Sequence, residues 1–93
     1  MTITFHLPSA LREHADGRAS VRIAGSGDSV HQAFEALFAE HPALRDRLLT
    51  EQGNVRPHVA IFVGPESIRY SGGFETRVRD GDEVTILPAV SGG

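Results

Sequence analysis

Val59-Ala60-Ile61-Phe62-Val63 is apolar at five consecutive positions. Successive side chains of a strand point to opposite faces, so a run of this kind marks a strand covered on both faces, or covered on one and offering the other to a partner. The fold around it must therefore hold a sheet and at least one covering layer. A chain of 93 residues buries only roughly 60–65% of its unfolded surface, so it has one modest core and no room for a deep internal active site.

The remaining elements follow from periodicity. Thr2 to Leu7 alternates, with Ile3, Phe5 and Leu7 on one face and Thr2, Thr4 and His6 on the other, and Pro8 ends the run. Ala19 to Ala24 repeats the pattern through Val21 and Ile23. Both have the period of two expected of strands. The connection Pro8–Arg18 is long for a hairpin, with a turn signal at Asp16-Gly17 and Leu11 tucking back toward the core. After Gly25-Ser26-Gly27-Asp28, Ser29 and Gln32 have capping-box spacing. Val30, Ala33, Phe34, Leu37 and Phe38 then form one helical stripe that stops before Pro42. Leu44, Leu48 and Leu49 suggest a short second helical piece. Beyond Val59–Val63, the pattern predicts a turn at Gly64-Pro65 and a short strand over Ile68-Arg69-Tyr70. Turns needing unusual backbone angles follow at Ser71-Gly72-Gly73 and Asp80-Gly81-Asp82, and a last strand runs from Glu83 to Leu87. Phe74 is expected to anchor its loop into the core.

Strand, strand, helix, strand, short strand, strand is an α+β order. The simplest packing lays the one long helix across one face of a mixed sheet of four to five strands. The β-grasp, or ubiquitin-like, architecture satisfies it with the first and last strands side by side at the centre. On this reading residues 1–88 form the domain and residues 89–93 a flexible tail. If Val59, Ile61 and Val63 face the helix, with Val84 and Ile86 inward, then Phe62 and Leu87 lie near each other on the outer face. There they either form a docking patch or pack under a loop.

The sequence finishes Leu87-Pro88-Ala89-Val90-Ser91-Gly92-Gly93, without a charged side chain in that stretch. Five residues past Pro88 extend about 17 Å at ~3.3–3.6 Å each. Glycines without Cβ thread a channel too narrow for other residues. A tail of this kind is expected to put a carboxylate into a partner's active site while the body stays outside. On the glycine pair alone, a frayed end is the favoured reading.

The last third decides between these. Ile68-Arg69-Tyr70-Ser71-Gly72-Gly73, Thr76, Asp80-Gly81-Asp82-Glu83-Val84 and Leu87-Pro88-Ala89-Val90-Ser91-Gly92-Gly93 resemble the ubiquitin-like sulfur carrier proteins of the MoaD/ThiS family, most closely the CysO-type carriers. Leu7-Pro8-Ser9-Ala10-Leu11-Arg12 fits the early part of the same proteins, so the likeness spans essentially the whole chain. The resemblance implies a β-grasp fold and a carrier that is not itself an enzyme. It implies that Gly93 is adenylated by a ubiquitin-activating-like partner that supplies ATP and Mg²⁺, with Ala89, Val90, Ser91 and Gly92 as the part that threads that enzyme's channel. A sulfur donor protein or sulfide then yields a thiocarboxylate, whose sulfur passes to a biosynthetic synthase. A cysteine-synthase-type or specialised thio-product acceptor is favoured. Molybdopterin or thiamin thiazole assembly is the alternative, and a ubiquitin-like modifier or passive interaction module the alternative of another class. Ser91 departs from the Ala or other small residue of many relatives. The Leu87-Pro88-Ala89 approach is unlike molybdopterin-synthase subunits, where an aromatic residue and two prolines are common.

Other features set limits. The net charge is −3, and all nine positive side chains are arginines scattered along the chain, which argues against nucleic-acid binding. No apolar run approaches the ~18–20 residues of a membrane span, and no signal-peptide pattern opens the sequence, so a cytoplasmic location is the expectation. Without cysteine there is no thiolate nucleophile and no zinc-thiolate site. His6, His14, His31, His41 and His58 lack metal-ligand spacing. Gly25-Ser26-Gly27 lacks the Gly-Lys-Ser/Thr of a phosphate loop and reads as the approach to a helix. The absence of lysine fits an arginine-rich codon bias. That is the favoured reading; the alternative is a chain whose activated terminus is spared nucleophiles on neighbouring copies.

Overall fold

In the computed structural model, which describes residues 1–25 and 27–88, the alternation at the start of the chain becomes strand β1 (Thr2–His6), with Ile3 and Phe5 fully buried. β2 (Ser20–Ala24) pairs antiparallel to it, setting Ile3 opposite Ile23 and Phe5 opposite Val21. The long connection between them is not featureless. Ser9–Ala15 winds into a 3₁₀ helix, Ala15 is fully buried and Leu11 packs on the edge of the core. Asp16 (φ 56°) and Gly17 (φ 77°) then reverse the chain through left-handed conformations.

α1 (Val30–Glu40) buries Val30, Ala33, Phe34, Leu37 and Phe38, the stripe expected from the sequence. The Ser29 hydroxyl accepts from the Gln32 N–H at 3.2 Å. The Gln32 side chain returns to the Asp28 N–H at 2.9 Å, one residue earlier than a standard capping box. Phe34 sits against Phe5 (ring centroids 5.2 Å apart), Phe38 (5.6 Å) and Phe74 (6.2 Å, edge to face). These contacts fix the helix to the Phe5 face of the sheet. α2 (Ala43–Leu48) adds Leu44 and Leu48 to the same core.

β3 (Val59–Val63), β4 (Glu66–Ser67) and β5 (Glu83–Pro88) complete a five-stranded sheet in the order β2-β1-β5-β3-β4. β1 and β5 are parallel at its centre and every other pairing is antiparallel. With one helix layer across it, this is the β-grasp arrangement, and the mixed sheet and central pair match the expectation. Val59, Ile61, Val84 and Ile86 are buried toward the helix, and Phe74 packs against the core.

One element differs from its sequence reading. Ile68–Tyr70 is a single 3₁₀ turn, and the strand that pairs with β3 is only Glu66–Ser67. The Ser67 hydroxyl accepts from the Arg69 N–H at 3.3 Å, and the Ile68 carbonyl accepts from Ser71. A serine at this point offers the backbone a local partner in place of the ladder. Three residues reading apolar, polar, apolar suit one tight turn as well as a strand. Ile68 turns into the core and Tyr70 stands 85% exposed. Gly72 (φ 119°) and Gly73 (φ 61°) follow in the left-handed region, as their turn requires.

Candidate functional site: the outer sheet face and the root of the tail

The period of two that buries one face of the sheet defines the other. Across it run His6, Thr85, Phe62 and Ser67, in register on β1, β5, β3 and β4. The next row toward the end of β5 pairs Leu87 with Ala60. Phe62 and Leu87 are thus diagonal neighbours on one face, a relation that sets backbones roughly 7–8 Å apart and leaves long side chains within reach. Leu87 is 44% exposed, so it is not covered by a loop. Phe62 is half-buried and lines a groove of about 660 Å³ that continues past the sheet edge to Ala60, Pro65 and Tyr70. An apolar band therefore runs from Leu87 to Phe62 on the outer face, and the groove continues it around the edge of β3 to Tyr70. Tyr70 escapes the sequence reading because a strand there gives no reason to single it out.

The polar part of this face is short-range. His6 Nε2 contacts Glu83 Oε1 between the two central strands. Asp80 and Asp82 act as turn groups. Asp80 accepts from the Thr2 N–H at 2.7 Å and Asp82 from the Arg79 N–H at 2.8 Å. Among the described residues there is no group of three or more His, Asp or Glu placed to hold a metal ion.

β5 carries the chain to the tail. Through Glu83, Val84 and Thr85 it pairs with β1 on one side, and from Val84 on it pairs with β3 on the other; its last residues pair with β3, Pro88 lying opposite Val59. Ala89, Val90, Ser91, Gly92 and Gly93, the residues singled out for threading and adenylation, lie outside the described residues.

The ThiS family matches residues 5–93. The chain belongs to the ThiS family. The sulfur carrier protein CysO of Mycobacterium tuberculosis is 40% identical over 95 residues that span both chains completely. A chain of the crystal structure of the Amycolatopsis orientalis BexX/CysO complex superposes with a TM-score of 0.85 at 36% identity, covering 98% of this chain and 99% of that one. Small archaeal modifier protein 1 of Haloferax volcanii gives 0.81 at 31% identity, with both chains covered fully. Family membership and full-length likeness to CysO make this ThiS-family chain a sulfur carrier with the ubiquitin-like fold.

Proposed function

We propose that the sulfur is carried on Gly93, as a thiocarboxylate made and unloaded by other proteins. The observation that carries this reading is the placement of β5. A strand clamped between two neighbours leads straight into a stretch of small, uncharged residues ending Gly92-Gly93. Residues 1–88 serve as the body and 89–93 as the arm.

A terminal carboxylate, with an ordinary pKa of about 3.3–3.7, is ionised at neutral pH. Its oxygen attacks the α-phosphorus of ATP and pyrophosphate leaves, giving an acyl-adenylate. ATP and Mg²⁺ belong to the adenylating partner. A sulfur nucleophile then adds to the acyl carbon and AMP departs, leaving the thiocarboxylate. That sulfur is the nucleophile toward a biosynthetic acceptor, for which a cysteine-synthase-type or specialised thio-product enzyme is favoured. Neither step draws on a side chain of the carrier. Phe62 and Leu87 supply the apolar docking contact for the partners, in a cytoplasmic setting.

Intact mass tests the reading. Incubation with ATP, a ThiS-family activating enzyme and a sulfur source should add about 16 Da as oxygen is replaced by sulfur. The likeness to a small archaeal modifier protein favours a second reading, in which Gly93 forms isopeptide bonds. The same experiment in cell extract separates the two, because a modifier is recovered on lysines of larger proteins.

A further inference from the structure

Charge is unevenly placed along the strand axis. β1 and β5 are parallel, so the β1–β2 connection, α2 and the approach to β3 gather at the end where β5 finishes. At that end a cleft of about 540 Å³ is lined by His14, Ala43, Asp46, Arg47, Arg56 and His58. Three separate segments contribute its two arginines and two histidines; Asp46 is the carboxylate in the lining, and Glu13 reaches His14 Nε2 at 3.6 Å beside it. Arg56 is held in place, since its Nε donates to the Asp46 carbonyl at 2.8 Å. Neither Arg47 nor Arg56 is in an ion pair among the described residues. His58 adjoins Val59, which faces Pro88, so the cleft flanks the root of the tail. The opposite end of the sheet holds Asp28, Glu66, Glu75, Asp80, Asp82 and Glu83 against Arg22, Arg77, Arg79 and the amino terminus.

We propose that the cleft around Arg47, Arg56 and His58 docks an acidic surface on the protein that receives the tail. The proposal rests on the carrier reading for what that protein is. Charge complementarity argues for it. The two arginines of the cleft attract carboxylates, so an acidic partner is drawn to the end of the molecule where β5 finishes. The apolar band through Phe62 and Leu87 then supplies contact, while the cleft sets orientation.

Titration of the isotopically labelled full chain with a hexaglutamate peptide tests this by NMR, in about 20 mM and about 300 mM NaCl, which shorten the screening length from roughly 20 Å to under 6 Å. Shifts should centre on residues 14, 43–47 and 56–58 and weaken at least about tenfold at the higher salt. The exposed double variant R47E/H58E should bind at least about tenfold more weakly, whereas R22E on the outer edge strand should change binding less than about twofold. Equal losses in both variants would mean that net charge alone acts, and would overturn the proposal. So would saturable binding of inorganic phosphate in the cleft without any of the peptide. The titration does not involve Gly93, so its outcome is independent of the mass measurement that tests the carrier chemistry.

Discussion

Ile86 and Leu87 are adjacent and have opposite duties. Ile86 is 1% exposed and packs opposite Ile61, while Leu87 faces outward beside Ala60. Truncating the first leaves a cavity in the buried core, so Ile86→Ala should cost about 2–5 kcal/mol in urea-unfolding stability. Leu87→Ala should stay within about 0.5 kcal/mol, because an exposed side chain takes little from the folded state. On the proposed docking role, its effect belongs to binding. An apolar anchor is worth about 2 kcal/mol or more at an interface, so adenylation under limiting partner should fall by about tenfold or more. Unchanged adenylation in Leu87→Ala, and in a folded Phe62→Ala, would remove the outer face from the activation step. The inward side of Ile86 and the outward side of Leu87 follow from strand alternation. The exposure of Tyr70 does not, since it depends on the Ser67 hydroxyl bending the chain out of the ladder.

The start of α1 shows how an element is tied to the rest. Ser29 caps the helix from within, and the backbone around it is held from outside. The Val30 N–H donates to the Thr76 carbonyl at 2.9 Å and the Val78 N–H to the Asp28 carbonyl at 3.0 Å. Gln32 adds the bond to Asp28. Ser29→Ala should cost about 1 kcal/mol by denaturant unfolding. Because Ser29 and Gln32 brace the same turn from both directions, a double-mutant cycle should return a coupling of about 0.5 kcal/mol or more. Simple additivity would show that the two bonds act separately. The helix itself was readable in the sequence, since Val30, Ala33, Phe34, Leu37 and Phe38 fall on one stripe whatever the tertiary context. The 3₁₀ helix over Ser9–Ala15 was not. It has little periodicity, and its buried Ala15 becomes a core residue only once α2 packs against it. Val78 was missed for the same reason. It is buried in a segment without strand or helix pattern, held by its bond to Asp28.

At the scale of the whole molecule, stability and reactivity are assigned to separate parts of the chain. Among the described residues, the buried core falls between Ile3 and Ile86, whereas the proposed chemistry uses an atom of residue 93. Deleting Gly93 leaves every described core residue in place, so unfolding free energy should change by less than about 0.5 kcal/mol. Activation should be lost outright, because the chain would then present the Gly92 carboxylate one residue short, by roughly 3.3–3.6 Å. A near-attack geometry tolerates about 1 Å of misplacement at a cost of about a hundredfold, so a shortfall of a full residue leaves no measurable adenylation. Pyrophosphate release and intact mass read the activation, and urea titration reads the fold. If the shortened chain folds normally and is still adenylated, the terminus is not positioned by its distance from β5, and the role assigned to Gly93 fails. If it neither folds nor reacts, the tail belongs to the body and the separation between the two parts is wrong.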